Sequence, residues 1–281
     1  MKTILAGALS LLLVAGAHAA GPRVLFLSKS AGFQHSVVTV HDGKPTHTDK
    51  HLTQIVGDLG GTITCTKDAG LINKDNLKNY DVVIFYTTGD LTTPGTDNQP
   101  PMGPNGQAEL IEWLNGGGGY VGFHCASDTF HPNPQCGPPT PYIETVGGEF
   151  KGHGRQFEGT IKVVSPGHPA AKNLTDNWKI ADEWYVFCNL NKANLHVIAL
   201  MDPGDERGRQ EMYNIPAYPV MWCRMVGKGR AYYDAMGHRE DVWDNEQWRK
   251  VAGDAILWAS GKGEANAEPN FDKVVPPAPE K

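Results

Sequence analysis

Short apolar runs alternate with polar segments along the first half of the chain, and each run ends in small polar residues. The predicted strands are VLFLSKS after Arg23, ITCTKD, residues 80–86 and residues 120–123. Between them the pattern predicts helices over residues 48–59 and 106–114. Strands that are apolar throughout, such as YDVVIFY, are typical of parallel sheets because both of their faces are covered. The alternation therefore predicts an α/β protein with a doubly wound, mostly parallel sheet flanked by helices.

The second half of the chain has a different pattern, in which strands follow one another directly. Strands are predicted at residues 160–164, 196–201, 219–226 and 230–235. The last two flank the sequence GKG, which favours a tight turn, so we expect an added β-hairpin. An amphipathic helix is predicted over residues 245–259, and its expected core side chains are Trp248, Val251, Ile256 and Trp258.

Both ends of the chain differ in composition from the middle. Residues 1–20 start with a lysine, continue with a short apolar run and end in AGAHAA, which is typical of a cleaved bacterial signal peptide. We therefore expect a secreted or periplasmic protein. No later segment is apolar and long enough to span a bilayer, so membrane insertion is not expected. The compact domain is predicted over residues 22–262, and the polar, Pro-rich residues 263–281 are predicted to form a disordered tail.

The charge of the chain limits the classes of partner. The formal net charge is -6, and loss of Lys2 with the signal peptide makes it -7. Mild acidity without a basic stripe argues against nucleic acid and anionic membranes as partners. We also expect no nucleotide cofactor, while the sequence leaves the oligomeric state open.

Five cysteines are present, at positions 65, 125, 136, 188 and 223, and none lies in a C-x-x-C motif. An odd number in an oxidising compartment leaves at least one thiol unpaired or in an intermolecular bond. Cys125 with Cys136 and Cys188 with Cys223 are both candidate disulfides, and the sequence does not decide between the pairings.

The most informative stretch is LNGGGGYVGFHCASDTFH, residues 114–131. It combines glycines, a buried strand and polar side chains at the strand end, where open α/β sheets bind their ligands. A nucleophile elbow places its reactive residue two positions after a glycine, and counting from Gly122 that residue is His124, not Cys125. We therefore expect His124 at the crevice and Cys125 as a structural or disulfide-bonded cysteine. Asp128 lies four residues on, where it is predicted to orient His124, to act independently as an acid or base, or to cap a turn.

Other histidines and a carboxylate lie at loop and strand ends. His153 lies in GGEFKGHG, Glu183 begins EWYVF, and His238 follows a strand and a glycine in MGHRED. With His124 they form a predicted set for Zn²⁺ or a similar divalent ion, although no two of them have short ligand spacing. Imidazoles and carboxylates also suit proton transfer, so His124, Asp128, Glu183 and His238 are the predicted catalytic residues.

Aromatic residues flank this set. Trp184, Tyr185, Trp222 and Trp243 could stack on the C–H faces of sugar rings, and any of them could instead be a core residue. Trp184 and Trp222 are the predicted substrate-binding members.

These segments together resemble the ThuA-like (trehalose utilisation) family. The shared motifs, in order, are SAGFQHSV, YDVVIFYTTGD, GGGGYVGFHCASDTFH, GGEFKGHG, DEWYVF, PVMWCRMVGKGR and MGHREDVW. The resemblance implies a class I glutamine amidotransferase-like, flavodoxin-like fold whose elbow carries histidine in place of the nucleophilic cysteine. It implies a link to trehalose-like disaccharides and their 3-keto derivatives, and it adds His35 as a substrate-binding residue. Cys125 and the signal peptide depart from commoner members, which favours a glycoside met outside the cytoplasm.

Three functional hypotheses follow. The first is an exported enzyme that acts on glycosides or keto-glycosides by hydrolysis, elimination or isomerisation, with or without a divalent metal. The second is a non-catalytic sugar-binding protein that uses the same crevice. The third is a cysteine hydrolase or amidotransferase that depends on Cys125.

Overall fold

The computed structural model describes residues 21–277, so the predicted signal peptide lies outside the described residues. In this part of the chain, no helix combines the length and apolar content needed to cross a membrane. The strands are β1 (Arg23–Leu27), β2 (Thr62–Thr66), β3 (Val82–Phe85), β4 (Gly119–Phe123), β5 (Glu149–His153), β6 (Phe157–Val163), β7 (Trp178–Asp182), β8 (Tyr185–Cys188), β9 (His196–Asp202), β10 (Tyr218–Val226) and β11 (Gly229–Asp234). The α-helices are α1 (His47–Asp58), α2 (Lys74–Leu77), α3 (Gly106–Asn115), α4 (Pro141–Val146), α5 (Glu240–Asp244), α6 (Glu246–Ala259) and α7 (Phe271–Val274).

The main sheet has nine strands in the order β2-β1-β3-β4-β11-β10-β9-β6-β7. The first five are mutually parallel, and their order matches the flavodoxin-like arrangement if β11 is counted as the fifth strand. β3 and β4 are buried along their whole length, as the apolar sequence predicts for strands covered on both faces. The predicted fold class is confirmed.

The antiparallel half of the sheet is larger than the single predicted hairpin. β10 and β11 form that hairpin, with Gly227 in the left-handed region at φ +58°. β9, β6 and β7 then extend the sheet in antiparallel fashion. β5 and β8 form a separate two-stranded sheet, which the sequence pattern did not reveal. This small sheet matters for the site because His153 ends β5 and because β8 begins two residues after Glu183.

The final long helix packs as predicted. The side chain of Asn245 accepts a hydrogen bond from the backbone N–H of Trp248 and so begins α6. The four expected core residues of this helix, Trp248, Val251, Ile256 and Trp258, are at most 1% exposed.

The disulfide joins Cys136 to Cys188, so both candidate pairings are wrong. The pairing of β5 with β8 sets Glu149 opposite Cys188, and the Glu149 carboxylate accepts a hydrogen bond from the backbone N–H of Cys136 at 2.9 Å. These contacts bring the two cysteines together. Cys223 is instead buried in the core, with its sulfur 3.3 Å from His168 Nε2, and Cys125 is a buried free thiol.

The predicted disordered tail is ordered as far as the structure describes it. Asn270 bonds both the backbone N–H and the carbonyl of Val197, and α7 follows immediately. Phe271 packs into the core with 8% of its surface exposed. One asparagine and one aromatic ring thus dock a segment whose composition is otherwise typical of a loose tail.

Candidate active site

Five of the predicted site residues lie just beyond, or at, strand ends and converge. His35 is in the loop after β1, His124 follows β4, His153 ends β5, Glu183 follows β7, and His238 lies four residues beyond β11. Four of these side chains form a close group: His35, His124, Glu183 and His238. One ligand atom from each lies within 4.8 Å of the ligand atoms of the other three. The convergence of distant strand ends is what the doubly wound sheet predicts.

His124 occupies the tip of a strained elbow. Its φ of +42° is in the left-handed region that a side-chain-bearing residue rarely adopts, as expected of a nucleophile elbow. Its Nδ1 lies 2.8 Å from the carbonyl oxygen of Ala235, which can only accept, so Nδ1 carries a proton. In the neutral ring the Nε2 lone pair is then free, and this atom lies 3.6 Å from Glu183 Oε2.

Glu183 is the centre of the cluster. Its Oε2 lies 3.1 Å from His238 Nδ1, and its Oε1 lies 3.2 Å from His153 Nδ1. The preceding residue, Asp182, accepts hydrogen bonds from the backbone N–H groups of Glu183 at 2.9 Å and Gly237 at 2.7 Å. Asp182 therefore fixes the end of β7 against the loop that carries His238.

The charges of the cluster follow from burial and proximity. Burial, followed by repulsion from His124 and His238, lowers the pKa of His35 to about 2, so His35 is neutral. Burial alone would raise the pKa of Glu183, but the imidazoles of His124 and His238 outweigh it and hold that pKa below its usual value. Burial would likewise lower the pKa of His238, and the Glu183 carboxylate outweighs it and raises that pKa.

The residues present fit a divalent metal ion. Among the described residues, His35 Nδ1, His124 Nε2 and His238 Nδ1 are buried and make no hydrogen bond of good geometry, although the last two face the Glu183 carboxylate. Three imidazole nitrogens and one carboxylate are a donor set suited to zinc. Donors bound at 2.0–2.1 Å in a tetrahedron lie about 3.3 Å from each other, and the 3.1 and 3.6 Å separations at Glu183 bracket that value.

The structure differs from the predicted metal set in one member. His35, predicted to bind substrate, contributes a buried nitrogen to the group, whereas His153 is not among its four members. The His153 side chain is 39% exposed and contacts the outer oxygen of Glu183. His153 therefore lies at the rim of the site.

Asp128 does not contact His124, as an α-helical spacing would have required. Residues His124–Asp128 form a 3-10 helix instead. Such a helix has about three residues per turn, so the side chain at position 128 does not lie above that of position 124. The Asp128 carboxylate lies 3.9 Å from His131 Nε2, and burial raises the pKa of Asp128 to about 6. Asp128 is thus a carboxyl group with a raised pKa, within electrostatic range of His153.

The sugar-stacking role predicted for Trp184 and Trp222 is wrong, because both indoles are completely buried. Trp184 Nε1 donates to the carbonyl of Phe157 at 3.0 Å, and Trp222 Nε1 donates to that of Val146 at 2.8 Å. Both are core residues with satisfied hydrogen bonds.

Other aromatic rings contact the histidines instead. Phe33 is 66% exposed, and its ring centroid lies 4.9 Å from that of His35 in an edge-to-face contact. Tyr185 is buried, and its ring centroid lies 4.1 Å from that of His124. The only sequence signal for Phe33 was its place in a polar loop two residues before His35.

Cys125 has the environment of a structural cysteine. It is 1% exposed, and burial raises the pKa of its thiol well above the ordinary value. A nucleophilic cysteine needs an accessible thiolate, so this site does not support the cysteine hydrolase hypothesis.

The fold and the elbow together define a flavodoxin-like α/β protein with a histidine where a nucleophile would stand. A family model described as trehalose utilisation (ThuA) matches residues 23–259. The chain belongs to the ThuA family, as the sequence motifs predicted. No curated protein matches the sequence significantly.

Solved structures agree on the fold. A ThuA-like protein from Bacteroides uniformis ATCC 8492 has a TM-score of 0.65 and 18% identity, covering 92% of this chain and 98% of that one. A ThuA-like protein from Parabacteroides merdae ATCC 43184 also has a TM-score of 0.65, with 14% identity and coverage of 85% and 90%. Part of a β-galactosidase from Rahnella sp. R3 has a TM-score of 0.51 and 14% identity, covering 88% of this chain and 32% of that one. Identities this low establish the architecture alone.

Proposed function

We propose that this protein is an exported enzyme that acts on glycosides or keto-glycosides with the help of a divalent metal ion. His35, His124, Glu183 and His238 would hold the ion. The observation that carries the proposal is the convergence of three buried imidazole nitrogens, none of which makes a hydrogen bond of good geometry, on one carboxylate. The ion would act as a Lewis acid on a hydroxyl or carbonyl oxygen of the sugar.

The surrounding residues would bind the sugar and move protons. Asp128, whose pKa is about 6, is the general base of the proposal, because it is largely ionised at neutral pH and still basic enough to accept a proton. His153, at the rim on Glu183, would donate a proton to the leaving oxygen in a hydrolysis or elimination. The buried ring of Tyr185 packs on His124 and keeps its imidazole oriented.

A carbohydrate substrate is supported by the family and by the surroundings of the cluster. The family model is described by trehalose utilisation. An open pocket of about 370 Å³ beside His238 is lined by Ser36, Gln156, Arg239 and three carboxylates, which are hydrogen-bonding groups suited to sugar hydroxyls. The exposed ring of Phe33 offers a face for a pyranose.

Export is supported by the cysteine chemistry and the amino-terminal sequence. A disulfide such as Cys136–Cys188 persists in oxidising compartments. The signal-peptide pattern of residues 1–20 points to the same destination. Fusion of those residues to a reporter that is active only after export would test this part directly.

The enzymatic part is tested by metal analysis of purified protein and a screen of glycosides and 3-keto-glycosides. We expect near-stoichiometric metal and turnover that His124→Ala and His238→Ala abolish. His41→Ala, which alters an exposed histidine outside the cluster, is the matched control and should leave the metal content and the turnover unchanged. Sugar binding without turnover would favour the non-catalytic alternative, and turnover that survives both cluster variants would refute the assignment.

A further inference from the structure

A second group of metal-type ligands lies at the junction of α1 and α5. His47 and His51 are four residues apart on α1, so their rings lie on one face, with centroids 4.7 Å apart. Their Nε2 atoms lie 3.2 and 2.9 Å from the same oxygen of Asp244, which ends α5. One ligand atom from each residue falls within 4.8 Å of the others.

The spacing suits a bound ion, although the 2.9 Å contact of His51 Nε2 with Asp244 is also within hydrogen-bond distance. Two imidazolium rings facing one carboxylate oxygen would repel each other, whereas two neutral imidazoles and a carboxylate can share one divalent ion. The observed separations are also close to the roughly 3.3 Å expected between donors on a tetrahedral zinc ion.

We propose that His47, His51 and Asp244 form a second divalent-ion site, with no ligand in common with the His35 cluster, for Zn²⁺ or another late transition metal. Three protein ligands leave one tetrahedral position for water. The side chains of His47 and His51 are only 28% and 14% exposed, whereas Asp244 faces solvent at 59%, so an ion can enter from that side.

The place of this site in the fold suggests a bracing role. α5 begins two residues after His238, and Glu240 in its first turn accepts a hydrogen bond from Ser36, the neighbour of His35. Without an ion, His47 Nε2 donates to the carbonyl of Glu240 at 3.2 Å, and a bound ion would replace that proton. An ion between α1 and α5 would therefore hold the two loops that carry His35 and His238 against each other.

The test is zinc binding by the mature chain in a Glu183→Gln, His124→Ala background, which removes two of the four ligands of the first site. We expect one equivalent of Zn²⁺, measured by competition with a chromophoric chelator, and a rise in Tm of several degrees. His51→Ala and Asp244→Asn should each weaken the binding at least tenfold and abolish the rise in Tm, while His41→Ala should change neither. Co²⁺ should give a visible absorption band that His51→Ala removes.

Circular dichroism separates loss of the site from loss of the fold, and Asp244→Asn provides a nearly isosteric second variant. Binding should also weaken as the pH falls, because the imidazoles must be neutral to ligate. Zinc binding weaker than about 100 μM in the parent, or equal binding by parent, His51→Ala and Asp244→Asn, would overturn the proposal. Neither result would affect the cluster around Glu183.

Discussion

Replacement of Asp234 by asparagine should stabilise the protein, and the gain should grow with pH. Asp234 ends β11, is completely buried, and accepts a hydrogen bond from the backbone N–H of Met236 at 2.9 Å. Its second oxygen has no hydrogen-bond partner among the described residues. Burial raises the pKa of this carboxyl from 3.8 to about 8.

The sign of the effect follows from proton linkage. Between about pH 4 and pH 8 the unfolded chain has released the Asp234 proton while the folded protein retains it. The free energy of unfolding of the wild type should therefore fall as pH rises through this range, by up to about 1.4 kcal/mol per pH unit. Above about pH 8 it should level off. Four pH units set an upper bound near 6 kcal/mol for the whole range.

Asparagine retains the acceptor for Met236 and cannot ionise, so the Asp234→Asn variant should lack this pH dependence. The assay is urea unfolding of both proteins at pH 5, 6, 7 and 8, in which all other titrating groups cancel in the difference. Asp58→Asn, at an exposed helical position, is the control and should track the wild type. If the difference between Asp234→Asn and wild type stays constant from pH 5 to pH 8, the buried carboxyl is not the cause and the reasoning fails.

Three further substitutions test the disulfide and the surroundings of the cluster. Cys136→Ser with Cys188→Ser should lower the free energy of unfolding by about 2–4 kcal/mol, because the bond closes a long loop with a sequence separation of 52; denaturant titration measures this. The kcat/KM of the wild type should rise as pH passes through about 6, where Asp128 deprotonates, and Asp128→Asn should lower kcat and remove that limb of the pH–rate profile. Phe33→Ala should raise KM about three- to tenfold with kcat unchanged in steady-state kinetics, since one aromatic contact is worth about 0.5–1.5 kcal/mol.

Each of these has a matched control. Cys125→Ser leaves the disulfide intact and should cost less than the double variant. A pH profile of Asp128→Asn that keeps its limb near pH 6 would assign the general base elsewhere. Val40→Ala shortens another exposed apolar side chain, at 47% exposure, and should leave KM unchanged. Equal effects of Phe33→Ala and Val40→Ala would contradict a sugar platform at Phe33.

The parallel half of the fold could be predicted because its signals are local. β3 and β4 are continuous apolar runs, and a strand of this kind has to be covered on both faces. His124 was placed by counting from Gly122, and the left-handed φ at that residue is the geometry that the elbow requires. His238 was found because it follows a strand and a glycine, and Gly237 adopts φ +118° to turn the chain there.

The remainder depends on contacts between distant parts of the chain. Trp184 and Trp222 are adjacent to polar motifs in sequence, but only the packed sheets decide that both are interior. The Cys136–Cys188 bond depends on the register of β5 with β8, which no local pattern encodes. Local propensity is a weak guide wherever tertiary packing determines the environment.

The antiparallel extension is what turns a flavodoxin-like crevice into this site. The parallel strands β1, β4 and β11 place three histidines at one edge, but they supply no carboxylate to the cluster. That group comes from the far edge of the sheet, where the chain leaves β7 and Asp182 binds Gly237 of the His238 loop. The disulfide then ties the segment after the elbow to β8, directly beyond Glu183. The carboxylate that balances the histidines is therefore held in place by interactions that the parallel core alone does not contain.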